Sequence, residues 1–170
     1  MVLTKTSISA IRALVYLGLH DTGEPVSPRH VAGRLGESQT YLAKVMRHLV
    51  KAGILRAHRG GGGGVTLNRP PEQITLLAVV EACQGAIQGN FCEDAEDLAK
   101  TCAFHQAAGE LHRAVVDVLS RWTLAQLLIK PRPSPELVDR HIQCWLAPLP
   151  EEDPAETPAA SAEGRDRAGE

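Results

Sequence analysis

Five consecutive glycines, Gly60 to Gly64, follow Arg59 and lead into Val65-Thr66-Leu67, and no other stretch narrows so far what this chain can fold into. Glycine loses more backbone freedom on ordering than any other residue, so five in a row inside a folded unit need a physical reason. One reason is a tight hairpin with positive φ angles. The other is a backbone so close to a partner that no Cβ fits. A cation before the run and a β-branched strand start after it point to a hairpin tip set against phosphate, with Arg59, Gly60 and Gly61 at the contact. A flexible linker is the competing reading of Gly-rich sequence. Periodic apolar sequence close on both sides, with no Ser-rich spacer, argues against it.

The preceding sequence supplies the rest of a DNA-binding unit. Ser27 to Leu35 reads as a short helix, with Ser27 as cap, Pro28 at the first helical position and Val31, Ala32 and Leu35 as its apolar stripe. Gly36 breaks the chain. Ser38 to Ala52 reads as a longer helix with Leu42, Val45, Met46, Leu49 and Val50 on one face, ended by Gly53. Ile54 to His58 and Val65 to Asn68 are strands around the glycines. This order is that of a winged helix-turn-helix, whose second helix enters the major groove of double-stranded DNA with its N-terminal polar residues at base edges. Ser38, Gln39, Thr40, Tyr41 and Lys44 occupy that position. Gln39 suits adenine, Thr40 a base edge or thymine methyl, and Tyr41 and Lys44 a phosphate.

Charge is divided in the same way. Residues 1–69 hold 10 Lys/Arg against 3 Asp/Glu, although the whole chain is formally −2. Phosphate recognition needs local rather than global positive charge. From about residue 147 onward, prolines, alanines and seven acids against two arginines leave little to bury, so residues 147–170 read as a disordered acidic tail. Such a tail is a solubilising end or a competitor of DNA for the basic face.

A length of 170 residues and a 44% apolar content suit one compact domain with appendages, and the 4% aromatic content points to aliphatic helix packing. No uninterrupted apolar stretch approaches the ~18 residues of a membrane span, and no secretory signal is legible, so a cytoplasmic protein without a membrane partner is expected. No nucleophile–base motif is legible, and the glycine run lacks the Lys-Ser/Thr of a nucleotide-binding loop, so no enzyme activity is expected. Ile74 to Cys83 reads as a helix packed beneath the DNA-binding unit, with Cys83 on its apolar face. Gly109 to Leu128 carries Leu111, Val115, Val118, Leu119, Trp122, Leu124 and Leu128 near helical spacing, and reads as one dimerisation helix about 20 residues long. A twofold dimer presents two such units to a palindromic operator. The fold class is mainly α: residues 1–85 form the winged helix-turn-helix domain with a small β-hairpin, 86–107 a cysteine-containing loop, and 108–146 the dimerisation helix and a C-terminal helix. In the last of these, His141 and Cys144 stand at i,i+3 spacing, too few for a closed metal site.

Residues 86–107 bring Cys92, Cys102 and His105 into one loop-like segment. Thiolates and an imidazole in a reducing compartment suit an iron–sulfur cluster, a two-cysteine redox switch or ordinary free thiols with His105 capping the next helix.

The ordered set of Leu3-Thr4, Ser9 to Leu17, Pro25-Val26-Ser27, Tyr41-Leu42, Leu49 to Leu55, the Arg59-Gly wing, Arg69 to Leu76, Val79 to Gly85 and Trp122-Thr123-Leu124 resembles the Rrf-type winged-helix regulators over about residues 1–130. That family includes iron–sulfur and nitric-oxide-responsive regulators. The resemblance implies a homodimer and a cluster held in the cysteine loop by three cysteines. Cys92 matches the first and Cys102 the last, and His105 stands where some members carry a histidine ligand. The middle cysteine is missing, with Glu96, Asp97, Leu98 and Ala99 in its place. Where some members supply a carboxylate from the N-terminal helix, this chain has Ile8 between Ser7 and Ser9. The expected cofactor is therefore a [2Fe–2S] cluster with Cys92, Cys102 and His105 as ligands. A cofactor-free regulator, a thiol switch and a protein-interaction scaffold are the alternatives.

Overall fold

The computed structural model describes residues 3–60, 62–87, 101–134 and 144. Gly61, Cys92, His141 and the 147–170 tail lie outside them. The elements run α1 (Lys5–Leu19), α2 (Pro28–Leu35), α3 (Gln39–Lys51), β1 (Leu55–His58), β2 (Gly64–Leu67), a 3-10 turn (Pro71–Gln73), α4 (Leu76–Gln84), α5 (Ala103–Arg121) and α6 (Leu124–Ile129). β1 and β2 pair antiparallel, Leu55 opposite Leu67 and His58 opposite Gly64.

Helix α1 is the axis of the core. Ala10, Ile11, Ala13, Leu14, Val15, Tyr16 and Leu17 are all buried, so the helix is apolar nearly all round, as a central helix must be. Val31 and Leu35 of α2, Leu42, Val45, Met46 and Leu49 of α3, and Val79 of α4 close over it. Each fully buried Leu, Ile or Val contributes about 1.5–3 kcal/mol of transfer free energy.

The turn between α2 and α3 is held to α1 by charge. Gly36 adopts φ 65°, the left-handed conformation that lets the chain leave α2 with its N–H on the Ala32 and Gly33 carbonyls. The next residue, Glu37, points back into the core. Arg12 of α1 donates to Glu37 Oε1 through Nη1 at 2.8 Å and to the Leu35 carbonyl through Nη2 at 2.9 Å, while Ser9 Oγ donates to the same Glu37 oxygen at 3.0 Å. Both charged side chains are nearly buried, 13% and 11% exposed.

Three expectations are corrected. The helix read as Gly109 to Leu128 is two helices, because Trp122 and Thr123 are extended and join residues 74–76 instead. Leu76 N–H donates to the Trp122 carbonyl and Leu124 N–H to the Ile74 carbonyl, both at 2.8 Å, across a Thr75–Thr123 bridge. Thr123 then starts α6, its N–H donating to Gln126 Oε1 at 2.8 Å. Helical periodicity runs unbroken through this point, so the apolar pattern hides the break. Second, α5 begins at Ala103, so His105 is in its first turn and not in a loop. Third, α4 starts at Leu76, capped by Thr75, and leaves Ile74 extended and buried.

Breaking one side of a buried ion pair leaves the other charge desolvated, typically at a cost of 3–5 kcal/mol. Arg12→Ala should lower the unfolding free energy by about 3 kcal/mol in a urea titration followed by circular dichroism. The double variant with Glu37→Ala should lose less than the sum of the two single losses.

Candidate nucleic-acid interface and thiol site

Helix α3 divides its residues between two jobs. Leu42, Val45, Met46 and Leu49 are buried, whereas Thr40, Lys44, Arg47 and Lys51, spaced i, i+4, i+7 and i+11, form an exposed stripe on the opposite side. Ser38 is the N-cap, and its hydroxyl makes no capping hydrogen bond. Ser38, Gln39 and Thr40 are all exposed, so the front of the helix offers three uncommitted polar side chains. Tyr41 is committed elsewhere: its half-buried hydroxyl donates to Thr6 Oγ1 at 3.5 Å, and Lys5 Nζ lies 5.7 Å above its ring. It ties α3 to the start of α1.

The glycine run serves several purposes. Gly60 has φ 116°, outside the range that side-chain-bearing residues adopt, and its carbonyl accepts from Gly63 N–H at 3.0 Å to close the turn. Gly64 is required by close approach within the chain itself. A Cβ there would lie 2.5 Å from the Val26 carbonyl oxygen, because Val26 and Val65 exchange hydrogen bonds of 3.0 and 2.9 Å and add a third short strand segment beside β2. A Cβ on Gly63 would meet the His58 carbonyl at 2.7 Å, while one on Gly62 meets nothing within 4 Å. Among the described glycines of the run, Gly60 and Gly62 are those where a Cβ would meet nothing within 4 Å. Between the hairpin and α3 runs a groove of about 750 Å³ lined by Met46, Arg47, Val50, Lys51, Ala57 and Gly60. Arg59 is exposed at the edge of the wing. Arg69, by contrast, caps α3 by donating to the Ala52 carbonyl at 3.2 Å.

The thiol site lies at the start of α5. Cys102 is the exposed N-cap of α5, and its Sγ stands 3.0 Å from His105 Nδ1. The thiol is held below its ordinary pKa range, chiefly by the backbone N–H of His105 and then by the His105 ring. Cys83 differs: burial pushes its thiol up to about 11. Of the expected ligands, the described residues bring Cys102 and His105 together, and Cys92 lies outside them. Helix α1 offers little to a cluster. Ser7 and Ser9 are buried, with hydroxyls donating to the Thr4 carbonyl and to Glu37, and Ile8 has no donor atom. Among the described residues no group of three His, Cys, Asp or Glu could hold a metal ion. Cys102 and His105 therefore fit as two adjacent soft ligands, half of a four-donor set.

Residues 3–130 match the Rrf2 family, described as an iron-dependent transcriptional regulator. The chain belongs to this family. It is 32% identical over 136 residues to the HTH-type transcriptional regulator NsrR of Geobacillus kaustophilus (strain HTA426), covering 75% of this chain and 90% of that one. Among solved structures, T. potens IscR superposes with a TM-score of 0.61 at 25% identity, covering 76% and 88% of the two chains. CymR, the global cysteine regulator of B. subtilis, superposes with a TM-score of 0.63 at 24% identity over 75% and 95%, a likeness of fold. This Rrf2 chain is a transcriptional regulator with a winged-helix fold, and no helix among its described residues is long and apolar enough to cross a membrane.

Sequence reasoning missed Arg12, Glu37 and Ser9 as the residues that set the recognition helix. A signal was present: an arginine and a serine within the otherwise apolar run Ser9 to Leu17 need a buried partner.

The contrast between the two thiols is testable by alkylation. At neutral pH Cys102 should react with iodoacetamide at least tenfold faster than Cys83, read by peptide mass spectrometry. The midpoint of its pH–rate profile should lie below the ordinary thiol range and move up in His105→Ala.

Proposed function

We propose that this regulator is a homodimer that binds a palindromic operator and reads iron–sulfur, redox or nitric-oxide status at Cys102 and His105. One observation carries the reading: helix α5 holds the thiol–imidazole pair at its N-terminus and exposed apolar side chains further along its length. Leu111 and Val118 stand seven residues apart on α5 and are 65% and 44% exposed, and Trp122, just past the end of the helix, is 47% exposed. Single exposed apolar residues are ordinary, but an aligned set on one helix suits a second copy of the same helix. Chemistry at Cys102 then acts on the element that fixes the separation of the two recognition helices. Tenfold in DNA occupancy needs only ~1.4 kcal/mol of differential binding.

The family's description as iron-dependent supports an iron cofactor, for which Cys92, Cys102 and His105 are the proposed cluster ligands, with [2Fe–2S] favoured by the small number of thiolates. Such a group supplies one-electron redox chemistry and reactivity toward nitric oxide when bound. The chain's part is to present Cys102 as a thiolate and to orient the His105 ring toward it. The exposed thiol with a depressed pKa favours a second reading without cofactor. In it the Cys102 thiolate attacks hydrogen peroxide, the O–O bond breaks, the sulfur keeps one hydroxyl as a sulfenic acid, and the other leaves as hydroxide, which takes a proton from solvent to become water.

On the DNA side, Ser38, Gln39 and Thr40 suit base edges, and Lys44, Arg59, Gly60 and Gly61 suit phosphates or the minor groove. Lys44→Ala and Arg59→Ala should each weaken operator binding and reduce the log–log salt slope by about 0.9, with stability changed by less than ~0.5 kcal/mol. An unchanged slope for both in a fluorescence-anisotropy titration removes them from the interface.

Purification without oxygen, with visible absorption and iron and sulfide analysis, separates the two sensor readings. Coloured protein whose absorbance is lost in Cys92→Ser and Cys102→Ser, altered in His105→Ala and kept in Cys83→Ser supports the cluster. Colourless, iron-free protein whose DNA affinity responds to peroxide only while Cys102 is present supports the thiol switch.

A further inference from the structure

We propose that the acidic C-terminal segment, residues 147–170, docks in its own chain on the cations of the winged unit and competes with DNA there. Arg29, Lys44, Arg47, Lys51, Arg56 and Arg59 are all exposed and make no ion pair with a described residue. The one acid between Arg29 and Arg59 in the sequence, Glu37, is paired with Arg12 instead. The winged unit therefore presents unneutralised positive charge, and this persists whenever DNA is absent. The segment carries seven acids and two arginines, with Glu151, Glu152, Asp153 and Glu156 closely spaced at its start. Opposite charges of this kind on one chain attract over about a Debye length, ~10 Å at 0.1 M salt.

Reach is not limiting. Continuous described sequence ends at Ser134, 17 residues before Glu151. A chain of that length spans at most ~55–60 Å. A folded unit of ~130 residues has a radius of gyration of about 14 Å. Tethering at an effective concentration on the order of 1 mM makes a weak contact competitive. A segment that occupies the cations about nine-tenths of the time lowers apparent DNA affinity about tenfold.

The consequence for DNA rests on the DNA-binding reading, whereas the contact itself does not, and the experiment separates them. In the full chain, Glu151, Glu152, Glu156, Glu163 and Glu170 are changed to Gln, and Asp153 and Asp166 to Asn. The first measurement uses no DNA. Backbone amide resonances of Lys44, Arg47 and Arg59 at low salt should differ between the parent chain and this variant. Raising the salt to about 1 M, where screening acts within ~3 Å, should move the parent's resonances toward the variant's. Identical resonances at low salt overturn the proposal whatever the DNA result. The second measurement is operator affinity at low salt, expected to be about tenfold tighter in the variant, with the gap closing as salt rises. Equal affinity together with shifted resonances overturns the competition. Shifted resonances in a chain that binds no DNA overturn the DNA-binding reading and keep the contact.

Discussion

The winged unit depends on one buried ion pair. Arg12 and Glu37 join the central helix to the turn that precedes the recognition helix, and Ser9 adds a second donor to the same carboxylate oxygen. A buried pair is a weak source of net stability, because desolvation offsets its attraction. Its geometric effect is stronger. Apolar contacts are non-directional, whereas a carboxylate with two donors and a guanidinium that also holds the Leu35 carbonyl prescribe direction as well as distance. The angle at which Gln39 and Thr40 leave the domain follows from that arrangement. Fixing Glu37 inward also removes a carboxylate from a surface otherwise rich in cations.

The second half of the chain is joined to the first by backbone rather than by charge. The bridge between residues 74–76 and 122–124 ties the start of α4 to the junction of α5 and α6. Helix α6 then lies against α1, close enough that a Cβ on Gly18 would meet Leu128 Cδ1 at 2.8 Å. Helix α5 is thus fixed at its C-terminal end, while its N-terminal end carries Cys102. Its C-terminal end is bonded to residues 74–76, and α6 beyond it packs on the core helix α1.

How much of this was legible varies with the kind of interaction involved. The helices of the winged unit could be read because Ser27, Pro28, Gly36 and Gly53 mark their ends by local chemistry, and because the apolar faces of α2 and α3 have clean periodicity. The wing was legible from its glycines, though their separate duties were not. Gly64 is needed because of Val26, some 40 positions away, and nothing near residue 64 reveals that. The division of the last long helix was hidden for a similar reason: Trp122 and Thr123 leave the helix to pair with residues 74–76, and non-local pairing overrides local periodicity. Of the candidate ligands, Cys102 and His105 could be named together from the family resemblance, but not the position of Cys102 at a helix N-terminus, where the His105 backbone N–H lowers its thiol pKa.

The close packing of Gly64 against Val26 has a bearing on how this wing can change over generations. Five identical residues in a row invite changes of length, and deleting any one of them yields the same four-glycine chain. The strand register and the Val26 bridge still require glycine at the last position before Val65, so the shortening must be taken up at the tip, where Gly62 has open space. A replacement at Gly64 has no such outlet, since every other amino acid brings a Cβ. The tract can therefore drift in length at its tip while its final residue stays invariant.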